Sequence, residues 1–168
     1  MTQIPEARWG SSDSTLARLV VRFGATALGS WTIRTLMPLD RKLLVRSNGR
    51  FTLLGPIGAP VLLLETTGRK SGQTRVSPLL FARDADSIVV VGSNFGQQHH
   101  PAWTGNLIKN PRATVVHGGQ TMLVDAQFLS DEEKAEVWPR LTKVWPTYDH
   151  YTTKTDRNLR VFRLTRSS

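Results

Sequence analysis

The sequence predicts a mainly β domain with helices, an α+β chain built on a small barrel or sandwich and preceded by an amphipathic helix. Its 168 residues are 39% hydrophobic and 21% charged, which is typical of one folded globular domain. From residue 51 onward, short β-prone runs alternate with turn signals. Before residue 51, apolar side chains instead follow helical spacing. We therefore divide the chain into a tail and basic helix over 1–50 and a barrel over 51–168.

The N-terminal segment begins with a polar stretch, and SDST at 12–15 then offers capping residues for a helix. The apolar side chains of this helix are Leu16, Leu19, Val20, Phe23, Ala27, Trp31, Leu36 and Met37. Cations interrupt it at Arg18, Arg22 and Arg34, so no membrane-spanning helix is predicted. We expect Pro38 to break it. A basic amphipathic helix of this kind either lies in an anionic lipid interface or packs on the core of its own domain.

Seven β-prone runs follow. They are FTLLG at 51–55, VLLLETT at 61–67, TRVSPLLFA at 74–82, SIVVVGS at 87–93, RATVVHGG at 112–119, QTMLVDAQFLS at 120–130 and RVFRLTR at 160–166. RDAD at 83–86 and HGGQ at 117–120 predict hairpin turns. Two helices interrupt the series: one over 100–111, with Pro101 in its first turn, and one over 130–146, with a capping box from Ser130 to Glu133.

The net charge of +9 indicates an anionic partner, which is nucleic acid, an acidic membrane surface or a multiply charged small molecule. The chain has no cysteine, which excludes disulfides, thiolate metal sites and thiol nucleophiles. It also lacks the apolar region of a secretory signal, so we expect a cytoplasmic protein. His99 and His100 have no third ligand at matching spacing, and the sequence predicts no metal site.

The turn GRKSG carries the strongest anion-binding pattern. Gly68 and Gly72 permit a tight bend whose backbone N–H groups converge as an anion nest. Arg69 and Lys70 add charge at its rim, beside Ser71, and Arg75 adds a planar fork from the next strand. The spacing differs from that of a nucleotide phosphate loop. A solvated hairpin turn rich in Lys and Gly explains the same residues.

Four ordered motifs are spread over about residues 60–165. They are LLLETTGRKSGQTRVSPLL, VVVGSNFG, HHPAWTGNLIKNPRATV and WPTYDHYTTKTDRNLRVFRL. Together they resemble the deazaflavin-dependent nitroreductase family. Members of that family are actinobacterial proteins that use coenzyme F420. The resemblance implies a split β-barrel related to flavin mononucleotide (FMN)-binding barrels. It also implies that Arg69, Lys70, Ser71 and Arg75 hold the phosphate and glutamate tail of F420.

The resemblance also assigns the ring side of the cofactor. Ser93 matches the residue beside the reacting edge of the deazaflavin and Asn94 follows it, while Ala102, Trp103 and Asn106 match positions that line the cleft. Trp103 is equally well explained as a core residue. Asp156 and Arg157 also match the family, and we interpret them as an ion pair that holds the C-terminal turn.

The aromatic side chains of WPTYDHY are assigned to the acceptor. Trp145, Tyr148 and Tyr151 are three residues apart and share one face if the segment is helical. The resemblance implies that tyrosines here cover the substrate, and that Ser93, Tyr148 and Tyr151 serve catalysis. Trp145 stands where the family often has Tyr. An aromatic core stripe is the alternative interpretation.

The sequence contains no nucleophile elbow, zinc-protease motif or paired carboxylates in an apolar surround, as expected when a cofactor supplies the chemistry. The resulting hypothesis is an F420H2-dependent reductase. It passes a hydride from C5 of the deazaflavin to a flat, apolar acceptor: a quinone such as menaquinone, an enone or a nitroheterocycle. It also includes an N-terminal helix resting on the inner face of the plasma membrane, a homodimer and no nucleic-acid partner. The alternatives are a basic nucleic-acid-binding barrel, the same fold holding FMN or haem, and an F420 carrier without turnover.

Overall fold

The structure, a computed structural model, describes residues 26–54 and 58–167 together with the isolated positions 15, 19 and 23. Within those two ranges the helices are α1 (Ala27–Arg46), α2 (Ala102–Lys109), α3 (Asp131–Val144) and α4 (Thr147–Thr153). The strands are β1 (Val61–Thr67), β2 (Thr74–Asp84), β3 (Ser87–Val91), β4 (Arg112–His117), β5 (Gln120–Phe128) and β6 (Val161–Arg166). All neighbouring strands are antiparallel and close into a barrel in the order β1-β2-β3-β6-β5-β4. The predicted α+β barrel class is confirmed.

Alternation along the strands divides the apolar side chains between two sides of the barrel wall. Leu62 and Leu64 of β1 point into the barrel, where they join Val115 and Val124 in a buried core. On the outer side, residues of β2 and β3 form a second core with α3 and α4. This second core places the two helices beside the strands that lead into the 92–97 loop.

The two predicted hairpin turns and the capping box at Ser130 are confirmed. Ala85, with a φ of 51°, lies in the two-residue turn from β2 to β3, and Gly118 and Gly119 take positive φ between β4 and β5. In α3, Ser130 accepts from the Glu133 N–H, while the Glu133 carboxylate accepts from the Ser130 N–H. These local signals therefore set the hairpins and the start of α3.

The prediction that FTLLG forms a strand is wrong. Residues 51 and 52 are irregular and residues 53 and 54 form a turn instead. The buried carboxylate of Asp40 accepts hydrogen bonds from the Thr52 hydroxyl, at 3.0 and 3.1 Å, and from the Leu53 N–H, at 2.7 Å. A side chain of α1 thus satisfies the backbone donor that a neighbouring strand would otherwise take.

Helix α1 begins after the cap Thr26 and continues through Pro38, so the expectation that Pro38 breaks the helix is wrong. Tertiary contacts hold the helix beyond the proline: Leu44 is fully buried against Val61, Leu63 and Val116 of the barrel. The capping motif at 12–15 and most of the apolar positions before Thr26 lie outside the described residues. No helix in the described residues is long and apolar enough to cross a bilayer.

Candidate functional site

The turn between β1 and β2 is held by its own backbone. The Gly68 N–H donates to the Gln73 carbonyl and the Gly72 N–H to the Gly68 carbonyl, both at 2.8 Å. Gly72 has a φ of +67°, and a Cβ on Gly68 would lie 2.8 Å from Ser71 Oγ. Both positions therefore favour glycine.

Most of the backbone donors of this turn are already used within the protein. In addition to the two glycine N–H groups, the Arg69 N–H donates to Asn106 Oδ1 at 3.1 Å, and the Gln73 N–H donates to Ser71 Oγ at 3.4 Å. The predicted anion nest is therefore wrong for these four groups. The side chains of this turn are therefore the main groups left to bind an anion.

The cations of the turn face solvent. Arg69, Lys70 and Arg75 are exposed, and no carboxylate in the described part of the chain forms an ion pair with them. Arg75 Nη2 donates to the neutral side chain of Gln73 at 3.3 Å. Three exposed cations without an acidic partner are available to an external anion with several negative groups.

Helix α2 lies directly against the turn. A Cβ built on Gly105 would overlap Nη1 of Arg69 and lie 2.8 Å from its Cζ, so the guanidinium occupies the space that the glycine leaves. The buried amide of Asn106 bonds at both ends, since its Nδ2 donates to Thr66 Oγ1 at 3.0 Å. Asn106 thus joins the turn to β1. Its predicted contact with the cofactor stays a prediction.

Besides Asn106, two residues of α2 are predicted to contact the deazaflavin ring, and both lie in its first turn. Ala102 is exposed at the helix start, whereas Trp103 is 5% exposed and packs in the barrel core, with its ring centroid 5.6 Å from that of Phe162. This placement matches the core interpretation of Trp103. The predicted roles of both residues toward the cofactor stay predictions.

The loop that contains Ser93 follows β3 and lies against α2. A Cβ on Gly92 would lie 2.6 Å from Thr104 Cγ2, so only glycine permits this approach. Ser93 is half-buried, and Asn94 and Phe95 take positive φ values of 46° and 55°. Asn94 Nδ2 donates to the His99 carbonyl at 3.0 Å. The loop is therefore tightly packed.

Arg157 organises this loop, a role that the sequence did not predict. Its guanidinium donates to the carbonyls of Gly92, Ser93 and Gln97 and to Nδ1 of His100. The interpretation of Asp156 and Arg157 as an ion pair is wrong, since no such pair forms among the described residues. The motif TDR was a visible signal, but the partners of Arg157 are about 60 residues away along the chain.

A second arginine, Arg160, stands nearby and donates from Nη1 to Thr104 Oγ1 at 3.3 Å. Partial burial, followed by the charges of Arg160 and Arg157, holds the pKa of His100 below its usual value. Burial, with the charge of Arg160, likewise lowers the pKa of Arg157. His100 is thus held neutral beside two guanidinium groups.

The three aromatic residues predicted to border an acceptor are buried together in the second core. Tyr148 and Tyr151 lie on α4, one turn apart, with their ring centroids 6.3 Å apart in a T-shaped contact. Trp145 is the C-cap residue of α3, so it does not lie on α4 with the two tyrosines. Burial, and secondarily Tyr151, raises the pKa of Tyr148, so its phenol stays protonated. Their contact with an acceptor stays a prediction.

A cleft of about 600 Å³ opens on the outer face of the barrel at the foot of the turn. Thr67 and Thr74, which flank the turn, line one end, and Leu123 and Asp125 of β5 line the other. Its walls are mainly polar and it does not include the buried tyrosines.

Comparison with known proteins gives one consistent family. The family model described as F420H(2)-dependent quinone reductase matches residues 37–166. A relative from Mycobacterium tuberculosis (strain ATCC 25618 / H37Rv), the F420H(2)-dependent quinone reductase Rv1261c, is 34% identical over 123 residues, which cover 71% of this chain and 83% of the relative.

Two solved structures support the same placement. A structure of the F420-H2 dependent reductase FDR-A has a TM-score of 0.58 and 35% identity, and the match covers 62% of this chain and 93% of that one. A structure described as a domain-swapped dimer has a TM-score of 0.61 and 27% identity over 82% of this chain and 99% of that one. The resemblance and the F420 prediction are confirmed: the chain belongs to the F420H(2)-dependent quinone reductase family and is an oxidoreductase that uses reduced coenzyme F420.

Proposed function

We propose that this chain holds F420H2 at the Gly68–Gly72 turn and reduces a flat, apolar acceptor of the quinone class. The observation that supports this most strongly is the set of three exposed cations on a turn that Asn106 and Gly105 fix to α2. A tail with a phosphate and several carboxylates needs this donor set, so the residues present fit the cofactor. When bound, F420H2 supplies a hydride from C5 of its deazaflavin ring.

The protein's own residues bind, orient and exclude water in this proposal. The tail of F420 is bound by charge-assisted hydrogen bonds from Arg69, Lys70, Ser71 and Arg75. Ser93, Asn94, Ala102, Trp103 and Asn106 define the ring side, where the packed 92–97 loop gives the ring a fixed wall. The turn and α2 are in direct contact, so one rigid unit positions tail and ring together.

The acceptor side is assigned to Trp145, Tyr148 and Tyr151. A phenol is protonated at neutral pH, so we assign Tyr148 as a proton donor rather than a base, although burial raises its pKa and makes it a weaker acid. The family description favours a quinone over the enone or nitroheterocycle that the same flat site would accept. The tyrosines are buried beneath the 92–97 loop, where Phe95 meets Tyr151 edge-to-face with ring centroids 6.2 Å apart. Acceptor entry therefore requires α4 or this loop to move.

The test uses the purified full chain. F420 is titrated while its intrinsic fluorescence is followed, and FMN and haem are titrated in parallel. F420H2 oxidation is then recorded with menadione and with a nitroimidazole. We expect F420 to bind without competition from FMN and menadione to be the better acceptor. Tight FMN or haem binding in place of F420 contradicts the proposal, and F420 binding without turnover indicates a carrier.

We also propose that residues 1–50 form a membrane-facing segment, separate in role from the F420-binding barrel over 51–168. In α1, Leu28, Trp31 and Leu39 are 64%, 54% and 57% exposed. On a helical projection they lie opposite the anchored side chains of Asp40 and Leu44. Arg41, Lys42, Arg46 and Arg50 are also exposed, and on the same projection Lys42 and Arg46 lie on the side of these apolar residues. An apolar face with an adjoining basic one suits an anionic lipid surface, where a quinone is dissolved.

A homodimer is proposed on separate grounds. The similar structure that aligns over most of this chain is a domain-swapped dimer. In α1, Leu44 of the C-terminal half packs on the barrel, whereas Leu28 and Trp31 of the N-terminal half are exposed, so a second copy is an alternative to lipid as the partner of these two side chains. Sedimentation of the full chain in detergent-free buffer distinguishes dimer from monomer.

A further inference from the structure

Arg157 makes an unusually complete set of hydrogen bonds to one short loop. Its Nε donates to the Gln97 carbonyl at 2.7 Å, its Nη1 to the Gly92 carbonyl at 2.9 Å, and its Nη2 to the Ser93 carbonyl. An arginine has five N–H donors. A fourth hydrogen bond of Arg157, again from Nη1, reaches His100 Nδ1 at 3.1 Å. The planar fork therefore spans the loop from its first residue to its last.

The 92–97 loop needs contacts from outside itself to hold its conformation. Asn94 and Phe95 both hold left-handed φ values, and for a bulky residue such as Phe95 this conformation is unusual. Backbone strain of this kind persists only where the surroundings determine the conformation. Phe95 meets Tyr151 edge-to-face and Asn94 donates to the His99 carbonyl, but the carbonyls on both sides of the strained pair accept hydrogen bonds from Arg157.

His100 completes the arrangement as an acceptor. Because a guanidinium only donates, Nδ1 of His100 must accept, and its imidazole is neutral with the proton on Nε2. The charge of Arg160, which follows Arg157 by three residues, acts on both members of this pair. No carboxylate among the described residues pairs with either arginine. Arg157 is therefore held by neutral acceptors alone.

We infer that Arg157 is a positioning residue, which acts through the 92–97 loop to hold Ser93 at the place where the deazaflavin ring is bound. The inference rests on the proposed function, because it takes Ser93 as the residue beside the ring. Arg157 itself does not touch the tail-binding turn in this arrangement. Loss of its fork should thus impair the chemical step while the tail stays bound.

The experiment compares Arg157→Lys with Arg163→Lys in the full chain. Both replace a fork by a single ammonium, but Arg163 pairs with Asp84 and Glu133 on the outer side of the barrel. For Arg157→Lys we expect the Kd for F420 to change by less than about twofold and kcat with menadione to fall at least about tenfold, as for a slightly misplaced reacting group. Arg163→Lys should leave both unchanged.

A double-mutant cycle with Ser93→Ala separates positioning from a general loss of structure. If Arg157 acts through Ser93, the kcat of Arg157→Lys/Ser93→Ala equals that of Ser93→Ala alone to within about twofold. His100→Leu, which keeps the arginine but removes its acceptor, should show a smaller kcat loss that is also absent in the Ser93→Ala background. If Arg157→Lys does not fold, the His100→Leu variant tests the positioning role of Arg157 instead.

Two results would overturn the inference, and they have different meanings. If Ser93→Ala lowers kcat but Arg157→Lys and His100→Leu do not, or if their effects multiply with that of Ser93→Ala, only the positioning role is wrong. If Ser93→Ala leaves kcat unchanged in a protein that binds and oxidises F420H2, the proposed placement of Ser93 is wrong and the inference falls with it.

Discussion

The guanidinium of Arg69 occupies the space left by the missing side chain of Gly105. The two residues are on different elements, the β1–β2 turn and helix α2, and any Cβ at Gly105 would displace the Arg69 side chain. Because the displaced group is the end of a flexible side chain, the fold itself can absorb the change. The contact thus links a glycine to a cation that we propose binds the cofactor, rather than to the core.

Gly105→Ala should therefore weaken F420 binding without destabilising the protein. Alanine favours the helix, by about 0.5–1 kcal/mol over glycine, while the moved guanidinium loses its place at the tail. We expect the Kd for F420 to rise about tenfold, or about 1.4 kcal/mol. Fluorescence titration measures it. In an Arg69→Ala background, Gly105→Ala should not raise the Kd for F420 further. A tenfold rise in that background as well would contradict the proposed contact.

Lys70→Ala and Arg75→Ala should each weaken F420 binding by about 1.5–3 kcal/mol, the value for a lost charge-assisted hydrogen bond. The reason is that neither cation has a carboxylate partner among the described residues, so both are available to the tail. Lys143→Ala, which removes an exposed cation from α3, is the matched control. Unchanged affinity in the Arg75 variant would show that the tail lies elsewhere.

Tyr148→Phe should slow turnover and leave F420 affinity unchanged. The proposal assigns the proton that accompanies the hydride to this phenol, which is protonated at neutral pH, although burial raises its pKa and makes it a weaker acid. We expect kcat to fall about 100-fold with menadione, measured under saturating F420H2. A variant with normal kcat and weakened F420 binding would remove Tyr148 from the acceptor side.

Activity and stability should both fall in acid through His100. Its pKa is lowered by burial and by Arg160 and Arg157, below the value of about 6.5 for an unfolded chain. Between the two pKa values only the unfolded state takes up the proton, so the contribution to stability is complete above about pH 6.5 and is lost as the pH falls through the folded value. His100→Asn keeps an acceptor but cannot titrate. We expect the acid limb of the kcat profile to be absent in this variant, and its persistence would assign the limb to another group.

The exposed face of α1 should carry the membrane affinity. We expect the full chain to co-sediment with phosphatidylglycerol vesicles at low salt, and Leu28→Ser/Trp31→Ser to bind at least about tenfold more weakly because two apolar side chains are lost. Leu123→Ser, which alters an equally exposed leucine on β5, is the control. Failure of the unaltered chain to co-sediment would exclude the membrane-facing role.

Local signals in the sequence determined much of the fold. The hairpin turns at Ala85 and at Gly118–Gly119, and the capping box at Ser130, depend on residues that are adjacent or three apart, so the sequence contains all that they need. FTLLG and Pro38 were predicted incorrectly for the opposite reason. Asp40, twelve residues before Thr52, takes the donors of one segment, and the barrel contacts of Leu44 hold the helix past the proline of the other.

The same division applies to the site. Its cations stand together in sequence, so the GRKSG turn and its preference for a polyanion could be read from residues 68–75, with the family resemblance supplying the cofactor. The partners that hold this turn and the 92–97 loop could not be read. Asn106 reaches Arg69 across 37 positions and Arg157 reaches Gly92 across 65. Closure of the barrel brings these residues together, and a hydrogen bond between groups so distant in the chain exists only after the strands have paired.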